Sequence, residues 1–201
     1  MKMEKIKSYT LLFLLLIFCT SLKAQYFPID TMRLNRAYEA FLHEPDSYLK
    51  QIAFLDAFPS SFHDFIMVYQ FQEGEDYDLT MYYKGADHIN RGLYKLNLVP
   101  DTVFCDKIIQ LSFGGYWEAD AANYLQHLVQ KTTRDKSEVM FERLEKFTVG
   151  QQVSFWFFFF HSRIKNNGDY IMFKNEMGQR YPRVIKAMEM AYPAASGKVW
   201  Y

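Results

Sequence analysis

The chain has 201 residues, half of them hydrophobic and 18% aromatic, with 23 basic and 23 acidic side chains. That length and composition suffice for one domain with a substantial core, and no low-complexity or Pro/Gly-rich tract argues for disorder. The charge balance offers no basic field of the kind that nucleic-acid binding requires, so no nucleic-acid partner is predicted.

Lys2, Lys5 and Lys7 precede an apolar run from Leu11 to Phe18, and Ala24 precedes Gln25, which is the pattern of a secretory signal peptide over residues 1–24. The run is shorter than the roughly 20 residues a spanning helix needs. The expectation is therefore an exported protein, periplasmic or secreted, with no membrane span. Bulky Phe18 stands where a lipoprotein cut wants a small residue, which argues against a lipid anchor at Cys19. Removing Lys2, Lys5, Lys7, Lys23 and Glu4 with the leader leaves 19 basic and 22 acidic residues, a formal net of −3, in a single domain over 25–201. Cys105 is then the only cysteine, so no internal disulfide can form, and its apolar helical setting marks a buried, inert thiol.

Met32, Leu34, Ala37, Tyr38, Phe41 and Leu42 predict a helix over Asp30–Leu42, closed by Pro45-Asp46. Tyr48, Leu49, Ile52, Phe54, Leu55 and Phe58 predict a second over Ser47–Phe58, ended by Pro59, and Ser60-Ser61 caps a third over Phe62–Gln70. Short joints make these antiparallel neighbours. From Gln72 to Lys84 the pattern dissolves into Glu73-Gly74-Glu75-Asp76-Tyr77-Asp78, a solvated acidic connection whose offsets do not match a calcium loop. In the functional alternative, Tyr77, Tyr82 and Tyr83 anchor a partner there. Helices resume over Ala86–Leu96, Thr102–Phe113, Glu118–Gln130 and Asp135–Phe147, with Gly114-Gly115 a stop where a positive φ costs little.

Gln151–Ser162 follows, and it carries Phe155, Trp156, Phe157, Phe158, Phe159 and Phe160 without a break. No single face of a helix or strand holds six consecutive aromatics, so this segment must be covered on nearly all sides. It is taken as the central helix, with a buried strand as the alternative that periodicity leaves open. Lys165-Asn166-Asn167-Gly168-Asp169 then turns the chain into Tyr170-Ile171-Met172-Phe173, expected to be a short extended piece or loop. A last helix spans Gln179–Ala191 with Pro182 in its first turn, and Pro193 opens a tail that docks or frays through Val199, Trp200 and Tyr201. The expected fold is all-α, a single domain of about eight to nine antiparallel helices, compatible with a loose α–α superhelical array.

On the helix from Glu118, Asp120, Asn123, His127 and Gln130 form one stripe. A carboxylate and an imidazole on one face could serve as an acid/base pair, so Asp120 and His127 are the catalytic candidates, with Asn123 orienting a ligand. Apolar Ala121, Leu125, Leu128 and Val129 on the other face make a solvated amphipathic helix the plainer explanation. Trp117 is expected to pack the joint left by the two glycines, and His161 to serve the free carbonyls that end the aromatic helix. His43, His63 and His88 match no zinc spacing, Ser112 has no nucleophile elbow, and no phosphate-binding glycine loop opens a helix. No metal and no cofactor is predicted.

The set Phe58-Pro59-Ser60-Ser61-Phe62 with Phe65, His88-Ile89, Trp117-Glu118-Ala119-Asp120-Ala121 with Asn123 and Gln126, and Ser154-Phe155-Trp156-Phe157-Phe158-Phe159 resembles a family of uncharacterised bacterial exported α-helical proteins. The resemblance covers the chain from Ile52 to Ser162 and implies an all-helical fold in the cell envelope; it brings no activity. The expected function is binding of another protein in the envelope, in a toxin-neutralising or adaptor role, through Trp117, Asp120, Asn123, Tyr77, Tyr82 and Tyr83. The rival expectation is an envelope-acting hydrolase using Asp120 and His127.

Overall fold

The computed structural model of the protein describes residues 29–70, 81–117, 121–161 and 167–196. The expected leader with Cys19, the acidic stretch with Tyr77, Glu118, Asp120, the turn residues Lys165 and Asn166, and Val199 to Tyr201 lie outside the described residues. Every element among the described residues is helical, so the fold is all-α in a single domain.

Helices begin where a side chain can take their first free amides. Asp30 Oδ1 accepts the Arg33 amide at 2.8 Å and starts α1, Thr31–His43. After α2, Tyr48–Ala57, Pro59 breaks the path and Ser61 Oγ accepts the Asp64 amide at 3.1 Å to start α3, Phe62–Tyr69. The segment called α4 below is irregular: 3-10 turns at Tyr82–Lys84 and Leu93–Lys95 flank an α turn at Gly85–Asp87 and a π turn at His88–Gly92. It starts four residues earlier than the sequence pattern suggests. Next come α5, Asp101–Leu111, α6, Ala121–Asp135, and α7, Ser137–Leu144. The aromatic helix α8, Val149–Phe160, opens on a reciprocal cap. Gln151 donates its amide to Thr148 Oγ1 at 3.3 Å, and its Oε1 accepts the Thr148 amide at 3.1 Å.

Two expectations near the C-terminus are corrected. Tyr170 to Phe173 is helical, inside α9, Asn167–Met177. Phe173 and Met177, four residues apart, are buried there, and the Phe173 ring lies 5.7 Å from Trp156 and 5.9 Å from Phe159. Packing overrides a composition that reads as extended. The last helix, α10, runs over Pro182–Ser196 and continues through Pro193. The turn around that proline is held by tertiary contact: Ala191 and Ala195 are buried, and the Tyr192 ring lies 5.0 Å from Phe160 and 4.4 Å from Tyr170.

The aromatic block forms a helix at the centre, as expected, and not the buried strand that periodicity left open. Phe155, Trp156, Phe158 and Phe159 are fully buried and Phe160 is 3% exposed. Their covering side chains come from five helices: Phe62 of α3, Gln126 of α6, Phe141 of α7, Phe173 of α9 and Tyr192 of α10. The packing thus closes around one helix. Not all of the neighbours are antiparallel. Arg183, at the start of α10, bonds the carbonyls of Glu145 and Phe147 just before α8, while Tyr192 near its end meets Phe160, so α8 and α10 run parallel. The intervening α9 supplies the return.

Three buried glutamines join the elements. Gln51 donates to the Pro45 carbonyl at 2.7 Å and to Asn97 Oδ1 at 2.8 Å, and accepts the Leu98 amide at 2.8 Å. Gln152 donates to the Leu144 and Phe147 carbonyls at 2.9 and 3.1 Å, closing the end of α7. Gln126 does the same for α8, as described below. Asp106 on α5 receives a forked contact from Arg143 on α7, with Nε at 2.6 Å from Oδ1. Cys105 is fully buried, and burial pushes its thiol up to about 12, the inert state its setting predicts. Among the described residues no helix is long and apolar enough to cross a membrane.

Candidate functional site

Gly114 stops α5 with φ +73°, the left-handed region that glycine adopts without penalty, and its amide donates to Ser154 Oγ at 2.7 Å. A Cβ on Gly115 would stand 2.7 Å from the Phe158 ring, so the backbone can lie flat on α8 only because that side chain is missing. Phe158 therefore fills the glycine joint. Trp117 is half-buried, and its backbone amide donates to His161 Nδ1 at 2.7 Å.

His161 thus accepts a hydrogen bond, rather than donating one to the carbonyls that end α8. Those carbonyls are served from α6. Gln126 Nε2 donates to Phe158 O and, at 2.7 Å, to His161 O, and Gln130 Nε2 donates to Phe159 O at 2.8 Å. One helical turn separates the two amides, so both point at the same helix end. This inward use of Gln130 splits the expected stripe. His127 is exposed, Asn123 and Gln130 are half-buried, and Asp120 lies outside the described residues. The apolar side of the helix is as expected, with Ala121, Leu125, Leu128 and Val129 all buried.

The aromatic pair of the connection is well placed. The Met81 amide donates to Val68 O at 2.7 Å, which ties the start of α4 to the end of α3. Tyr82 is half-buried, and Tyr83, at 77%, is the most exposed large hydrophobic side chain among the described residues. Their rings meet edge to face at 5.0 Å. Two residues on, a Cβ at Gly85 would lie 2.9 Å from Ala121 Cβ, so the α4 backbone packs directly on the methyl group that opens α6. The fold therefore brings Gly85, two residues after Tyr83, against Ala121, which lies between Trp117 and Asn123 in the sequence.

Beneath this seam is a polar group that the sequence marked only as a scattered histidine. His88 is fully buried in the π turn of α4, with Nδ1 2.7 Å from Tyr69 Oη and its ring 4.3 Å from Tyr38 and 6.0 Å from Phe54. Its Nε2 has no hydrogen-bond partner among the described residues. Burial, helped by Lys84 and opposed by Asp87, lowers its pKa to about 4, so the ring is neutral at physiological pH. Tyr69, equally enclosed, is raised well above 10 by burial and stays a phenol. The signal available in the sequence was a histidine among helical apolar residues, with Ile89 and Leu93 on the same side. Among the described residues no group of three or more His, Cys, Asp or Glu side chains is placed to hold a metal ion.

Comparison with family models, curated proteins and solved structures finds no match. The class of protein is therefore defined by the molecule alone: a single all-α domain, closed around one aromatic helix, with Tyr83 exposed on α4 near its contact with α6.

Proposed function

We propose that this is an exported protein that binds another protein in the cell envelope, in a toxin-neutralising or adaptor role, through the seam between α4 and α6. Tyr82 and Tyr83 are the anchors, and Trp117 and Asn123 complete the proposed surface; Tyr77 and Asp120, assigned to it from the sequence, lie outside the described residues. The carrying observation is Tyr83 itself, 77% exposed and braced by Tyr82 at 5.0 Å. A braced tyrosine brings a large contact area and loses little freedom when a partner covers it, which is why such side chains dominate interface energetics. Export and membership in the resembled helical family belong to the same proposal, supported by the leader-like start and by the motif residues from Phe58 to Phe159. No observation favours a hydrolase built on Asp120 and His127, whose imidazole stands in solvent.

The test is a photo-crosslinking amino acid at position 83 in the full chain, with the same group at exposed Val149 as control, irradiated in intact cells. A single recurrent protein adduct from position 83, absent from position 149 and lost with Tyr82→Ala, is the expected result. Identical adducts from both positions, or none from 83, overturn the binding reading. N-terminal sequencing of the mature chain tests export, with Gln25 the expected first residue.

A further inference from the structure

Where α2 turns into α3, opposite the first turn of α1, there is a cleft of about 280 Å3 lined in part by Asp30, Arg33, Asp56, Ser60 and Asp64. Pro59 ends α2 and leaves Ser60 exposed at its lip. Lys107 reaches the same corner from α5. Its Nζ donates to Phe58 O at 2.6 Å and stands 3.5 Å from Ser60 Oγ. Lys107 thus links the Phe58 carbonyl to a hydroxyl on the wall of the cleft.

We infer that Ser60 and Lys107 are a nucleophile and its general base, and that this cleft accepts small acyl esters carrying a cationic group. The class of ester follows from the walls: the lining residues include three carboxylates, Asp30, Asp56 and Asp64, and one guanidinium, Arg33. A volume of about 280 Å3 lies at the small end of ligand sites, which run from about 300 Å3 upward, so the ligand is small.

The chemistry balances without a cofactor. The neutral Lys107 amine takes the proton from Ser60 Oγ while one of its N–H bonds remains on Phe58 O. The oxygen attacks the ester carbonyl, and the charge of the resulting oxyanion is balanced by the Lys107 ammonium formed in the same step. Collapse breaks the ester C–O bond, and the leaving alkoxide takes the proton from the Lys107 ammonium. Water then repeats the sequence on the acyl-serine, giving the acid and restoring both side chains. Lys107 is prepared for this role. Burial lowers its amine to about 8, against the opposing pull of Asp56 on α2 and Asp64 on α3, so a useful fraction is unprotonated near neutral pH. Asp30 and Arg33 face the cleft from α1.

This activity uses residues separate from the α4–α6 seam, so it stands or falls independently of the binding proposal. The full chain is incubated with a fluorophosphonate probe, and separately with the p-nitrophenyl esters of acetate and of 4-(trimethylammonio)butyrate. The expected results are a phosphonyl adduct located on Ser60 by peptide mass mapping and faster turnover of the cationic ester. The rate should rise with pH around a midpoint of about 8. Ser60→Ala, at an exposed lip position, should abolish both signals while keeping the wild-type melting curve. Lys107→Gln should slow labelling about a hundredfold at pH 7. Absence of a Ser60 adduct, labelling confined to lysines, or a rate unchanged in Lys107→Gln overturns the inference. If Lys107→Gln does not fold, Ser60→Ala and the pH profile of the native chain decide the matter.

Discussion

His88 shows how the interior sets the chemistry of a single side chain. Its unfolded pKa is near 6.5, and burial holds the folded value at about 4. Below pH 6.5 the unfolded chain therefore binds a proton that the folded chain refuses. Stability is complete above that pH and declines between 6.5 and about 4, by about 3 kcal/mol in all. Urea unfolding at pH 7, 5 and 4 measures this loss, and His88→Phe should flatten the dependence by about that amount; an unchanged slope in the variant would refute the assignment. Gln126 makes the complementary point about hydrogen bonds. Replacing it with Leu keeps an apolar volume but strands the Phe158 and His161 carbonyls. The expected cost is about 2–3 kcal/mol, read from the urea midpoint at constant slope.

Among the elements, α8 and α9 form for different reasons. Thr148 and Gln151 cap α8 locally, so its start was written in four residues. Thr148→Ala should lower stability by about 1 kcal/mol, measurable by chemical unfolding. By contrast, α9 has no comparable local signal, because glycine, asparagine and aromatic residues favour turn or strand. It is helical because Tyr170, Phe173 and Met177 align on the aromatic core. Phe173→Ala should therefore cost about 3–5 kcal/mol, and amide exchange should show α9 opening first; faster exchange in α1 than in α9 would contradict this account. The π turn at His88–Gly92 is another element that periodicity alone does not reveal, since one extra residue per turn leaves the apolar spacing nearly unchanged.

At the scale of the whole molecule, the late helices complete an early core. α10 lies parallel to α8, covering Phe160 with Tyr192, which arrives more than thirty residues later in the chain. A chain ending at Arg180 loses that cover and should fail to unfold cooperatively, giving a broad calorimetric transition and rapid proteolysis after the α8 aromatics. A sharp transition in the truncated chain would show that α10 is an accessory. The Tyr82–Tyr83 pair and the Ser60–Lys107 pair are likewise products of the assembled molecule. Contacts between α4 and α6 create the first surface, and contacts between α5 and the α2–α3 corner create the second.

Local physics in the sequence by itself determined the all-α class, the breaks at Pro59 and Gly114, the inert Cys105 and the burial of most of the block Phe155 to Phe160. Each depends on a residue's own backbone preference or on the apolar area it must hide, and neither needs knowledge of a neighbour. Only the tertiary structure decided that α8 and α10 run parallel, that Tyr170 to Phe173 coil, that Gln126 and Gln130 turn inward, and that Lys107 meets Ser60. Those outcomes depend on which distant carbonyl, ring or hydroxyl arrives within a few ångströms, and side-chain type and spacing along one chain carry no record of that distance.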